Sequence, residues 1–137
     1  MIQDTRGRED STGEWLPEYY EIEDGDDTLN WIAAQKFSDG QVGMTGGSYL
    51  GYVQWAAAAS GNPHLKAMLS SVCAGSAFVD IPRRGGCFTS GMLAWAFAMS
   101  ERRMREDLMA QENWDEILDI RPLDDIPQKA LGMRYRF

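Results

Sequence analysis

The sequence predicts an α/β fold in which helices flank a parallel sheet. A helix–strand–turn–helix–strand alternation runs through residues 26–72, which is the pattern of parallel α/β proteins. In addition, 44% of the 137 residues are hydrophobic and 11% are aromatic, so the chain can build a core and is not disordered. The length corresponds to about one domain.

The elements are predicted from apolar periodicity and from the breakers between them. Residues 8–24 are acidic and contain Gly13 and Pro17, so they predict a loop. The next segment has a helical apolar stripe, with acids at its start where the helix dipole favours them. Residues 61–63, Gly-Asn-Pro, end the helix that follows the glycine turn. The predicted order is a helix over 26–35, a strand over 41–45, a helix over 49–60 and a strand over 66–72.

The C-terminal part of the chain is predicted to be helical, without a further strand. Apolar residues predict a helix over 92–99, charged residues extend it over 101–113, and a short amphipathic helix over 114–120 ends before Pro122. Two roles are open for its large apolar side chains, an acyl pocket or a core, and the helical spacing favours the core. These side chains are Met92, Trp95, Phe97 and Met99.

The net charge of −8 is concentrated in residues 1–27, where ten acids accompany only Arg6 and Arg8. The remaining residues are neutral overall and contain no basic stripe, which argues against binding to a nucleic-acid backbone. The longest apolar run, residues 92–99, is too short to span a bilayer, and the first residues lack the pattern of a signal peptide. The sequence therefore predicts a cytoplasmic protein with no membrane partner.

Cys73 and Cys87 are not arranged as a C-x-x-C pair, and His64 is the one histidine. These residues do not make a metal-ligand set, so we predict reduced, partly buried thiols and neither a metal nor a cofactor.

The segment most informative for function is the glycine-rich turn around Ser48. A serine between a strand and a helix, flanked by Gly46, Gly47 and Gly51, is the setting of a nucleophile elbow. Such a turn lifts the serine oxygen out of the chain path. The helix N-terminus then favours a developing oxyanion, with the Tyr49 backbone N–H as one donor.

The motif departs from G-x-S-x-G because position 50 is Leu and the second glycine stands at 51. On the motif alone, a plain tight turn is an equally good interpretation. The strand before it and the helix after it favour the elbow. Other glycine motifs do not fit, since no Lys follows as in a phosphate loop and the spacing is not G-x-G-x-x-G.

Motifs in a fixed order carry a family resemblance over roughly residues 2–99. They are Gln3-Asp4-Thr5-Arg6-Gly7, the acidic loop with Ser11 and Gly13, Asp27 with Trp31-Ile32, Gly43-Met44, Gly46-Gly47-Ser48-Tyr49-Leu50-Gly51, Gln54-Trp55 and Pro63-His64-Leu65-Lys66-Ala67. With them the chain resembles the Xaa-Pro dipeptidyl-peptidase-like hydrolases, the family that includes cocaine esterase and related acyl esterases. One departure is Glu9, where the family usually has glycine.

The resemblance implies an α/β-hydrolase with a Ser-His-Asp triad, in which Ser48 is the nucleophile and Tyr49 supplies the backbone oxyanion donor. It implies that residues 1–87 are the central part of the catalytic domain and that residues 88–137 begin a helical cap. Substrates of the family are esters or amides, including peptides with proline in the second position.

The triad partners are not found in the chain. His64 follows the helix that begins after Ser48, and twelve residues of helix place it about 18 Å away, so we predict a surface or edge histidine. Asp80 follows the second strand, where some hydrolases have the acid, but we predict an ordinary loop aspartate. The resemblance places the acid and the histidine beyond residue 137. We therefore predict a central fragment that is nearly inactive alone.

A second hypothesis is a non-catalytic, truncated hydrolase-like module. A sheet that lacks its early strands has an unpaired edge, which favours association with a partner or with another copy of the chain.

The acidic N-terminal segment allows three smaller predictions. Asp4 and Arg6 are expected to form a structural ion pair, and Asp27 is expected to order the start of the first helix. By the resemblance the segment lies on the active-site side of the sheet, where its charge would favour cationic substrates such as a free peptide N-terminus.

Overall fold

The computed structural model describes residues 1–76, 79–110 and 113–132. It divides the chain into two compact units, Met1–Gly86 and Cys87–Phe137. The first unit contains α1 (Glu21–Ala33), β1 (Val42–Gly47), α2 (Tyr49–Ala59), β2 (Leu65–Ser71) and β3 (Arg83–Arg84). The second contains β4 (Cys87–Phe88), α3 (Ser90–Ala98), α4 (Glu106–Met109), α5 (Trp114–Leu118), a 3₁₀ turn (Leu123–Asp125) and α6 (Ile126–Leu131).

The predicted α/β class is confirmed in the first unit by a parallel pair of strands joined through a helix. β1 pairs with β2 in parallel, and the register runs from Gly43 opposite Ala67 to Gly47 opposite Ser71 after an irregularity at Val42. Parallel strands require a long crossover, and α2 provides it. Both strands therefore end at the same edge, which is where Ser48 follows β1.

A small apolar core holds α1, β1 and α2 together. Leu29, Val42 and Ala57 are its buried members, and half-buried Ile32, Met44 and Leu65 pack against them. The alanine run of α2 allows a close approach to α1, since a Cβ atom added to Gly25 would lie 2.8 Å from the Ala57 Cβ. The helix pair therefore requires a small residue on each side.

The start of α1 differs from the prediction. The helix begins at Glu21, inside the segment predicted to be a loop, and Gly25 lies within it. A glycine usually breaks a helix, but this one faces Ala57 and serves packing. Asp27 consequently lies in the second turn and does not order the helix start, where Glu21, Glu23 and Asp24 stand.

The predicted Asp4–Arg6 ion pair is also wrong. Arg6 instead contacts Asp24 in the first turn of α1, with its Nε donating to the carboxylate at 2.9 Å and a second nitrogen contacting the other oxygen. The pair is largely exposed, so its contribution to stability is small, but it ties the N-terminal segment to α1.

Two residues near the start of the acidic loop, Gly7 and Glu9, have positive φ angles. Glu9, at the position where the family usually has glycine, has a φ of +45°. Gly7, with a φ of +73°, is packed so closely that an added Cβ would lie 2.4 Å from the Trp15 backbone nitrogen. Both positions have the left-handed backbone that glycine favours.

The second unit is helical and has its own core of Phe97, Ile117 and Ile126. Phe97 is thus a core residue, and its ring lies 5.3 Å from that of Trp114. Met92, Trp95 and Met99 are half-buried. The identification of this unit as the beginning of a cap, and of the first as the catalytic part, remains a prediction.

In its described part, the predicted helix over 101–113 is confirmed only for Glu106–Met109. The chain leaves the helix after Ala98, and the Arg105 N–H returns to the Ala98 carbonyl at 2.8 Å. Arg105 forms ion pairs with Glu101 and Asp107 across this turn, and only the four residues of α4 follow as helix. Residues 111–112 lie outside the described part of the chain.

Three further differences are small. The amphipathic helix ends at Leu118, two residues earlier than predicted. The prediction missed two-residue strands on either side of Gly85–Gly86 and the final helix α6.

None of the helices in residues 1–76, 79–110 and 113–132 combines the length and the hydrophobicity that a membrane-spanning segment requires.

Candidate active site

Ser48 lies at the tight turn between β1 and α2 in a backbone conformation that is rare for a residue with a side chain. Its φ is +56° and its ψ is −127°, and the residue is exposed. Such conformations are strained by about 1–3 kcal/mol and persist only where the surroundings impose them. This strained, exposed turn from strand to helix is called the elbow below, after the nucleophile elbow that the sequence predicts at this place.

Backbone hydrogen bonds fix the turn on both sides. The Ser48 N–H donates to the Ser71 carbonyl at 3.0 Å, so the ladder between β1 and β2 continues into the elbow. The Ser48 carbonyl accepts bonds from Gly51 and Tyr52 in the first turn of α2. Ser48 thus stands at the positive end of the α2 dipole, which would favour negative charge beside its hydroxyl.

The glycines around Ser48 are required by close contacts. A Cβ atom on Gly46 would lie 2.7 Å from the Leu50 Cβ, and one on Gly51 would lie 2.9 Å from the Ser71 carbonyl oxygen. Gly46 allows the elbow helix to fold back on β1, and Gly51 allows it to cross the end of β2. Gly51, the second glycine of G-x-S-x-x-G, is therefore required by its close contact with β2.

Replacing Gly46 with alanine is expected to destabilise the first unit by about 2 kcal/mol, because the new methyl group must displace Leu50. The matched control is Gly43→Ala in the same strand, where the added Cβ would lie 3.9 Å from the Ala67 carbonyl oxygen and has room. Urea unfolding of both variants checks the difference. If the two variants were equally stable, the close contact between position 46 and Leu50 would be contradicted.

Gln54 supports the elbow from α2, and no role of its own is predicted for it from the sequence. Its side chain is 1% exposed, and its amide nitrogen donates to the carbonyls of Gly46 at 3.1 Å and Leu50 at 2.8 Å. These carbonyls belong to the residues two before and two after Ser48. The only sequence signal was its place in the family motif, where it stands six residues after the serine.

The Tyr49 side chain connects the elbow to the start of α1. Its hydroxyl donates to the Glu21 carboxylate and accepts a bond from the Glu18 backbone N–H at 2.9 Å. Its ring lies 6.4 Å from that of Trp15. Burial and the neighbouring Glu21 carboxylate raise the pKa of Tyr49 above its ordinary value, so the hydroxyl keeps its proton and remains a donor.

This raised pKa predicts a specific loss of stability at alkaline pH. The folded state binds the Tyr49 proton more tightly than the unfolded state, so the free energy of unfolding falls as pH rises above about 10. Tyr49→Phe is expected to flatten that fall, whereas Tyr19→Phe, at an exposed ring, is not. Urea unfolding between pH 8 and 11 measures the slopes, and parallel slopes in all three proteins would contradict the prediction.

Val72 is a second strained residue beside the elbow, although the sequence predicts a regular strand over residues 66–72. Its φ is +44°, its side chain is 90% exposed, and a Cβ atom on Gly47 would lie 3.5 Å from its Cγ2. A β-branched residue rarely adopts this conformation. No local sequence pattern distinguishes such a position from the preceding strand residues.

Comparison with known proteins assigns the chain to a family. The model of the X-Pro dipeptidyl-peptidase (S15 family) matches residues 1–134. The chain belongs to this family. This confirms the resemblance read from the motifs. Over 72 residues, or 53% of the chain, it is 51% identical to the cocaine esterase of Rhodococcus sp. (strain MB1 Bresler). The matched region spans 12% of that relative's length.

The structure of this S15 family member does not bring His64 to Ser48. His64 lies after α2, where its Nδ1 is 2.8 Å from the Gly40 carbonyl oxygen and its N–H donates to the Asn62 side chain. The eleven residues of α2 separate it from the elbow by about 16 Å of helix. The length of α2 is therefore consistent with the predicted separation of Ser48 and His64.

Asp80 stabilises the loop that contains it by accepting backbone hydrogen bonds. Its carboxylate accepts hydrogen bonds from the backbone N–H groups of Gly75 at 3.0 Å and Ser76 at 3.2 Å.

Cys73 is a half-buried free thiol, whereas Cys87 is exposed, contrary to the expected partial burial of both. Within residues 1–76, 79–110 and 113–132, no group of three or more His, Cys, Asp or Glu side chains is arranged to hold a metal ion.

Proposed function

We propose that this chain is the nucleophile-bearing segment of an S15-family serine hydrolase that cleaves ester or amide bonds, and that Ser48 carries the acyl group. The observation that supports the proposal best is the φ of +56° at Ser48, between a strand and the N-terminus of a helix. In a turn without a chemical role, glycine at position 48 would relieve this strain. The chain has serine there instead, although glycines stand nearby on both sides. Strain of this kind clusters at functional sites.

In the proposed reaction the Ser48 Oγ attacks the carbonyl carbon of the substrate while a base takes the hydroxyl proton. The carbonyl oxygen becomes an oxyanion, which the Tyr49 backbone N–H stabilises at the positive end of α2. Collapse of this intermediate expels the alcohol or amine, which receives the proton, and leaves the acyl group on Ser48. Water then attacks the acyl-enzyme, releases the acid and regenerates the serine.

The base and its orienting acid are assigned to a longer protein of which this segment is the central part. His64 is the one histidine of the sequence and stands at the opposite end of α2 from Ser48. A serine requires a base within hydrogen-bond reach to be a good nucleophile. The segment alone is therefore expected to hydrolyse esters slowly or not at all.

The proposed substrates are esters and amides, with X-Pro peptides among them. The ester class follows from the relative named as a cocaine esterase, and the peptide class from the family description. The acidic segment 1–27 has ten acids and two bases, and its Glu21 carboxylate contacts the Tyr49 hydroxyl. This charge would favour substrates with a positive group, such as a free peptide N-terminus.

The longest open reading frame around these 137 codons provides the test. Its product should carry a downstream aspartate and histidine, react with a fluorophosphonate probe at Ser48 and hydrolyse a p-nitrophenyl ester. The 137-residue segment expressed alone should show only background labelling. Rapid labelling of the isolated segment with ester turnover would contradict the assignment of the base to another part, and an unlabelled long product would contradict Ser48 as nucleophile.

A second candidate function is association without catalysis, and the exposure of β2 favours it. Leu69 of β2 is 71% exposed, and Val72, directly after β2, is 90% exposed. Apolar side chains on an uncovered strand favour pairing with another chain. Light scattering after size-exclusion chromatography distinguishes the cases, since a monomer at all concentrations would count against association.

A further inference from the structure

Glu21 is a buried carboxylate beside the candidate oxyanion site. It is the first residue of α1 and is 6% exposed, a degree of burial that charged side chains reach only when they are paired. One of its oxygens, Oε1, accepts the hydrogen bond from the Tyr49 hydroxyl. In the described part of the chain, the other oxygen, Oε2, is buried without a hydrogen-bond partner.

The contact joins two segments that the sequence separates by 28 residues. Because the carboxylate depends on the Tyr49 hydroxyl, moving either side chain would leave a buried acceptor without its donor, which is unfavourable. The same hydroxyl accepts the Glu18 N–H, so the loop before α1 is tied to the elbow through one phenol. Tyr49 is therefore held at its far end as well as by its backbone.

The position of Tyr49 makes this connection relevant to chemistry. Tyr49 is the first residue of α2 and follows the strained Ser48 directly. A strained turn returns to a relaxed conformation unless the surrounding structure prevents it. A side chain anchored at its tip restricts the rotation of the peptide unit between Ser48 and Tyr49, and that unit carries the candidate oxyanion donor.

We propose that Glu21 is a positioning residue for catalysis, which holds the Tyr49 side chain and thereby aims the Tyr49 backbone N–H at the oxyanion. This inference rests on the proposed function. Glu21 does not touch the reacting atoms. It acts through the Tyr49 hydroxyl, and its contribution is made in the transition state, when the negative charge has developed on the substrate oxygen.

The activity test compares variants of the long reading-frame product with a p-nitrophenyl ester. Glu21→Leu and Tyr49→Phe should each lower kcat about tenfold with KM within about twofold, because an oxyanion donor acts on the transition state. Glu21→Gln should retain most of the activity, since its amide oxygen still accepts the hydroxyl. The double variant should be no worse than either single one, because both remove the same contact.

Two controls separate positioning from general damage. Glu23→Gln changes an exposed acid in the same helical turn and should leave kcat unchanged. Asn62→Ala removes buried hydrogen bonds to Asp26 and Asn30 at the other end of α2. It should lower Tm as much as Glu21→Leu does without lowering kcat.

A spectroscopic measurement on the 137-residue chain tests the contact without relying on activity. In ¹H–¹⁵N spectra, Glu21→Leu and Tyr49→Phe should shift the amide signals of Glu18 and Tyr49, and Glu23→Gln should not. Unmoved signals, or a kcat within twofold of the parent in both variants, would overturn the positioning role. If the signals shift but the parent protein shows no Ser48-dependent turnover, the proposed function fails, and the assignment to catalysis fails with it.

Discussion

Replacing Ser48 with alanine is expected to reduce ester hydrolysis by the long reading-frame product by at least about a thousandfold, because loss of the nucleophile removes the acyl-enzyme pathway. The expected residual rate comes from substrate binding and oxyanion stabilisation alone. The measurement is kcat/KM for a p-nitrophenyl ester. Fluorophosphonate labelling should disappear in parallel.

The matched control is Ser60→Ala at the other end of α2. The Ser60 hydroxyl donates to the Ala57 carbonyl and caps the helix, so its loss should affect stability slightly and leave turnover unchanged. A residual kcat/KM of more than a tenth in Ser48→Ala would exclude this serine as the nucleophile. Equal losses in both variants would show that the substitutions act through the helix and not through chemistry.

Ser48→Gly in the 137-residue chain distinguishes a functional serine from a structural one. Glycine accepts a φ of +56° without steric strain, so this variant is expected to be about 1 kcal/mol more stable than the parent chain. Urea unfolding measures the gain. A less stable glycine variant would indicate that the hydroxyl serves the fold, which would remove the main support for the nucleophile assignment.

The strand, tight turn and helix around Ser48 could be predicted from the sequence because their requirements are local. Residues 42–51 contain, without interruption, a strand, two glycines, a serine and the start of a helix. Each of these parts is recognisable from its own residue types. The contacts that hold the elbow are not local. Glu21 and Gln54 reach it across 28 residues of chain and across two turns of helix, and nothing in their own surroundings distinguishes them from other polar helix residues.

The errors in the fold have the same origin. Gly25 is unfavourable in an isolated helix, and only its contact with Ala57 shows why α1 extends through it. Residues 101–113 have a helical pattern, but Arg105 bonds back to Ala98 and to two acids, which local propensity does not contain. A tertiary contact decided the first case against the local pattern, whereas a hydrogen bond that reaches back seven residues decided the second.

Replacing Leu29 with alanine is expected to destabilise the first unit by about 3 kcal/mol, because it opens a cavity where α1, β1 and α2 meet. Leu29 is 2% exposed and packs with Val42, the first residue of the strand that leads to Ser48. Leu69→Ala removes the same atoms from a side chain that is 71% exposed and should change stability by less than about 0.5 kcal/mol. Urea unfolding followed by tryptophan fluorescence measures both, since Trp31 and Trp55 lie on the two helices. Equal effects would show that this core does not hold the elbow strand, whereas the expected difference would make Leu29 the apolar anchor of the candidate site.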